Sequence, residues 1–120
     1  MTPRAQCCAG AAERLRMNLI RERIRNEREF TDRVRYEANL AGWERVYHTY
    51  NSQRSTPGFP DLCMVKGDRL VFAELKMPKK KATVAQQEWL EALGAVPGVE
   101  AYLWTPDDID EILTCLGGEI

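Results

Sequence analysis

Apolar positions fall into blocks whose spacing changes along the chain, and each block predicts an element. From about Ala12 to Ala41 the spacing is helical. Leu15, Leu19, Ile20 and Ile24 make one stripe, and Phe30, Val34, Ala38 and Ala41 make another. Asn26 to Glu29 interrupt the stripe, so the segment reads as one helix or two. Gly42 stands where a helix C-terminus favours glycine. Trp43 to Tyr50 is rich in aromatic and β-branched residues and predicts a strand, and Asn51 to Gly58 predicts a loop. A hairpin follows, up to Lys76. Thr83-Val84-Ala85-Gln86 then has the form of a capping box, opening a helix that carries Trp89, Leu90 and Leu93. After a break at Gly94 to Gly98, Val99 to Trp104 alternates like a strand. Thr105 and Pro106 open a last helix through Ile109, Ile112, Leu113 and Leu116. Helix, three strands, helix, strand, helix predicts a mixed β-sheet flanked by helices, an α/β fold.

The hairpin organises the rest. Its turn, Gly67-Asp68, suits a two-residue type II′ connection. Folding there sets Lys66 opposite Arg69, Val65 opposite Leu70, and Asp61 opposite Glu74. Opposed residues have Cβ atoms roughly 4.5–5.5 Å apart. Alternation puts Lys76 on the face of Glu74, and leaves Leu62, Met64, Val71, Ala73 and Leu75 on the other. Two facing carboxylates destabilise a sheet and raise each other's pKa. Lys76 relieves the conflict as an ordinary salt bridge, or a hard divalent cation does so while leaving positions for water and phosphate oxygens.

The chain has 120 residues, 44% of them apolar and 29% charged, enough for one domain with one core. It contains no transmembrane run and no signal-peptide pattern at its start, which predicts a cytoplasmic protein without membrane partners. Cys7, Cys8, Cys63 and Cys115 lack paired metal-ligand spacing and read as reduced thiols. The net charge of −1 hides an asymmetry. Positions 1–36 hold nine arginines against five acids, whereas positions 97–120 hold six acids and no Lys or Arg. The basic front and the loop Lys79-Lys80-Lys81 suit a phosphate backbone. The arginines equally suit a solvated helix laced with Glu/Arg pairs. His48 reads as a neutral strand histidine, and Trp43, Trp89 and Trp104 read as core.

Pro60-Asp61 followed by Glu74-Leu75-Lys76 resembles the PD-(D/E)xK nuclease superfamily. A longer set resembles its virus-type replication-repair nuclease (VRR-NUC) domain: Gly42-Trp43, Val46 to Thr49, Arg54-Ser55, Pro57 to Leu62, Phe72 to Lys76, Thr83, Gln86 and Trp89-Leu90. The likeness covers about positions 27–112, with small standalone, often phage-borne, forms similar in length. It implies a restriction-endonuclease-like core over 27–120, preceded by a basic, partly helical segment over 1–26. It also implies a Mg²⁺- or Mn²⁺-dependent endonuclease that cuts branched DNA, resolving Holliday-type junctions as a homodimer. Asp61 and Glu74 fall on the family's metal-binding acids, Lys76 on its catalytic lysine, and Gln86 on a glutamine that reaches the site. A glutamate of the first helix, just before an aromatic residue, matches Glu29 as a further metal ligand. Helical phase alone favours Glu37, which lies nearer the middle of the Phe30/Val34/Ala41 stripe. A flap or restriction-type nuclease, a non-catalytic DNA-binding module and a structural subunit are the competing readings.

Overall fold

The computed structural model describes residues 10–49 and 56–117. Expectations on Cys7, Cys8, Tyr50, Arg54, Ser55 and Gly118 lie outside the described residues. The N-terminal helical block is two helices, α1 (Ala11–Arg23) and α2 (Glu27–Leu40). Ile24 leaves the helical region with ψ 103°, and the Asn26 side chain caps α2 by accepting from Glu29 N. At the other end of α2, Lys66 Nζ donates to Ala41 O at 2.7 Å. Gly42 follows at φ +88°, a left-handed position that suits a residue without Cβ.

Strands β1 (Arg45–His48), β2 (Leu62–Lys66), β3 (Arg69–Leu75) and β4 (Val99–Trp104) form one sheet in the order β1-β2-β3-β4. The first three are antiparallel, and β4 runs parallel to β3 after a crossover through α3 (Val84–Gly94). A short 3₁₀ turn (Pro106–Asp108) leads into α4 (Ile109–Gly117). The hairpin adopts the predicted register, with Lys66 opposite Arg69 and Val65 opposite Leu70. Gly67 has φ +60°, and no non-glycine residue among those described has positive φ. That excludes a type I′ turn, which needs two such residues, and fits type II′.

Alternation along the strands builds the core on one face. Leu62, Met64, Val71, Ala73, Leu75 and Trp104 point into it, and Phe30, Val34, Ala38, Ile109, Ile112 and Leu116 meet them from α2 and α4. From α1 and its end come Ile20 and Ile24. The opposite face is thinner. Helix α3 lies there with no fully buried residue. Trp89 was expected in the core but is half-buried on this face, edge-on to Phe59 at 5.1 Å. Phe59 in turn meets Phe72 of β3 at 5.9 Å. Gly58 makes this packing possible. Its φ is +89°, and a Cβ there would come within 2.6 Å of the Ala85 backbone. The loop before Asp61 is therefore pressed against the first turn of α3. Among the described residues no helix is long and apolar enough to cross a membrane.

Candidate active site

The β2–β3 ladder runs from Lys66 and Arg69 at the turn to Leu62 and Ala73 at the open end. Asp61 and Glu74 continue it by one step. Asp61 is anchored twice: its Oδ2 accepts from Leu75 N at 3.0 Å, and its main-chain oxygen accepts from Thr49 N at 2.9 Å. Glu74 is 2% exposed. Its Oε1 is buried with no hydrogen-bond partner among the described residues, and its Oε2 lies 3.8 Å from Lys76 Nζ. Burial pushes the Glu74 carboxyl up to about 8, Asp61 adds to the rise, and Lys76 opposes it. An acid in this setting holds a proton near neutral pH unless a cation replaces it.

The residues present suit a hard divalent ion. Asp61 and Glu74 are oxygen donors side by side, and Glu74 Oε1 has a lone pair that no donor among the described residues satisfies. Among the described residues no group of three or more His, Cys, Asp or Glu is already gathered as a metal cluster. Two carboxylates with the remainder from water and phosphate is the usual arrangement for Mg²⁺.

The helix acid differs from expectation. Glu29 does not aim at the pair. Its carboxylate takes three hydrogen bonds from Arg25, two from the guanidinium (2.7 and 3.2 Å) and one from the backbone N–H (2.9 Å). These bonds lower the Glu29 pKa and raise that of Arg25. Glu37 points inward, as helical phase suggests, but toward Arg33 at 3.1 Å and Arg16 at 3.7 Å beside Leu40 and Leu116. Two α2 acids, Glu27 and Asp32, share a cleft with Asp61, and of these the charge of Glu27 contributes to the raised Glu74 pKa. This open cleft of about 650 Å³ has Glu27, Arg28, Asp32 and Arg35 of α2 facing His48 and Asp61. Sequence reasoning missed Glu27. The usable signal was Phe30, wholly buried, with Glu27 three residues before it and so on nearly the same helix face.

Gln86 sits in a capping box: its Oε1 accepts from Thr83 N at 2.8 Å, and Thr83 Oγ1 accepts from Gln86 N at 3.1 Å. Burial and then Arg35 lower the His48 pKa against the pull of Asp61 and Asp32, which favours the neutral imidazole. Cys63 and Cys115 are free thiols, both with pKa raised chiefly by burial.

No family model matches the sequence, and no curated protein matches it. A solved structure described as a VRR_NUC domain protein does match. It superposes with a TM-score of 0.53 over 77% of this chain and 85% of that one, at 21% sequence identity. This chain shares the α/β fold of that protein.

Proposed function

We propose that the protein is a divalent-metal-dependent nuclease that hydrolyses phosphodiester bonds in branched DNA, with four-way junctions cut by a homodimer. The observation that carries the reading is the Asp61/Glu74 pair with a buried oxygen that has no partner among the described residues. A sheet tolerates such a conflict poorly unless a cation settles it. The fold shared with a VRR_NUC domain protein points the same way.

Asp61, Glu74 and Glu27 are the residues that would hold Mg²⁺ or Mn²⁺. When bound, the ion supplies charge neutralisation at the scissile phosphate and a water of lowered pKa. Asp61 is held for this task by the Leu75 amide, which fixes one carboxylate oxygen and leaves the other to bind. Lys76 sits within reach of the same space, where its ammonium orients the attacking water or offsets charge building on the phosphorane oxygens. Gln86 holds the start of α3 in place through its cap and fixes the loop packed against it. Glu29 braces α2 through Arg25 rather than binding metal.

The homodimer follows from symmetry. A four-way junction needs two cuts on symmetry-related strands, and this chain has room for one such site. A C₂ pair supplies the second. Leu15, Leu19, Tyr36 and Leu40 form exposed apolar surface on α1 and α2 that such pairing would cover. The test uses end-labelled duplex, flap, fork and four-way DNA with Mg²⁺, Mn²⁺ or EDTA, alongside light scattering. Paired nicks in the junction by a dimer are expected. No cleavage of any substrate with either metal would refute the nuclease reading; a monomer that nicks only flaps would refute junction resolution.

A further inference from the structure

We infer that the cleft face of α2 is a backbone-tracking site in which Arg28 and Arg35 grip successive stretches of the DNA strand's phosphates on one side of the scissile one. The inference rests on the nuclease reading and adds a binding site to it.

Arg28, Asp32 and Arg35 recur at helical spacing on the side of α2 that faces Asp61 and His48 across the cleft. They form an unbroken polar stripe on a helix whose other side is wholly buried through Phe30, Val34 and Ala38. The stripe is therefore anchored: the core fixes both the rotation of α2 and the direction its arginines leave the backbone. Arg28 and Arg35 are seven residues apart, which is about 10.5 Å along a helix axis. Over that distance the two guanidiniums meet different phosphates of one strand. Arginine suits the task, because its planar fork pairs with phosphate oxygens in a bidentate way.

The charges in the cleft fall in an order. Glu27 and Asp61 mark the metal end, and the two arginines extend away from it with Asp32 between them. A strand whose scissile phosphate lies at Asp61 and Glu74 would run along α2 past Arg28 and Arg35. Asp32, at i+4 from Arg28 and i−3 from Arg35, competes with phosphate for both. The chain leaving Lys76 carries Lys79, Lys80 and Lys81, all exposed, so cationic side chains also follow the catalytic lysine.

Binding of a fluorescent four-way junction in Ca²⁺, followed by anisotropy across a salt series, tests this in the full chain. Arg28→Gln and Arg35→Gln should each weaken binding several-fold and lower the slope of log K against log salt by about 1, and by about 2 together. Asp32→Asn should act oppositely and tighten binding a few-fold, a sign that damage to the fold would not produce. Arg45→Gln, on an exposed strand position, serves as the charge control with affinity near wild type. Wild-type affinity and slope in the Arg28→Gln/Arg35→Gln double variant, or weaker binding by Asp32→Asn, would overturn the site while leaving the nuclease reading intact. Failure of the wild-type protein to bind or cut any DNA would instead remove that reading, and this inference with it.

Discussion

The two ends of the β2–β3 hairpin carry the same kinds of residue in opposite states. At the turn end Arg69 and Glu100 form a two-pronged pair at 2.8 and 2.9 Å. Tyr102 donates to Glu100 at 2.6 Å, Cys115 O accepts from Arg69 at 2.8 Å, and the guanidinium lies 5.1 Å over the Trp43 ring. The Arg69 and Glu100 charges there answer each other. At the open end two acids sit side by side with one lysine 3.8 Å from Glu74, and one buried oxygen has no hydrogen bond among the described residues. The first cluster pins α4 to the sheet. The second leaves a charge conflict in place, which is how sites that await a cation differ from ion pairs that only support a fold.

Substitutions at the two ends should therefore separate activity from stability. The largest effect expected is Asp61→Asn, which should lower cleavage about a thousandfold, the scale of removing a principal transition-state contact. Its thermal melt should hold or improve, because repulsion with Glu74 disappears. A variant that melts lower and still cuts would erase the contrast. Next, Glu27→Gln should cost about a hundredfold in cleavage, and Glu29→Gln less than about threefold. The reverse ranking would return the metal role to Glu29.

The pH dependence of stability sharpens the same comparison. The folded Glu74 pKa of about 8 lies above the ordinary glutamate value near 4.3. Between those values the native state keeps a proton that the unfolded state has lost. Stability contributed by this site therefore falls as pH rises across that window. In EDTA, denaturant titrations should show wild type losing stability relative to Glu74→Gln, on the order of 3 kcal/mol, between pH 5 and 8. Mg²⁺ or Mn²⁺ should recover the loss at pH 8 in the wild type alone. Parallel curves for the two proteins would mean that Glu74 carries no such burden. Smallest is Arg69→Met, expected to cost about 2 kcal/mol by leaving Glu100 unpaired at a partly exposed position. Its urea midpoint should drop with cleavage per folded molecule unchanged.

Much of the site was legible because a short turn fixes register. Once Gly67-Asp68 closes the hairpin, the partners of Glu74 follow by counting. The capping box of Thr83 and Gln86 and the helix start at Thr105 and Pro106 were equally local, although that Asp108 reaches back to close a second box was not read from the sequence. What could not be read depends on how elements meet. Glu29 lies on α2 close to Glu27, and the choice between them turns on Arg25, whose side chain and backbone N–H both bind Glu29 just before the helix starts. Glu37 has the right phase for burial, but that part of α2 meets α1 and α4 instead of the open end of the sheet. The Arg69–Glu100 pair spans 31 residues and depends on the parallel register of β3 and β4, which no local turn determines.

Gly67 also bears on the order in which this chain folds. A two-residue turn brings β2 and β3 together in about 1–10 μs, whereas β4 must wait for α3 and the closure of a longer loop. The pairing that forms first is thus the one that forces Asp61 against Glu74, ahead of the core that later rewards it. Acid pH, or a divalent ion present from the start, should speed refolding of the wild type, and Glu74→Gln should refold at a rate indifferent to both in stopped-flow. Nascent chains would then meet their electrostatic obstacle at the hairpin stage, before α4 has been added.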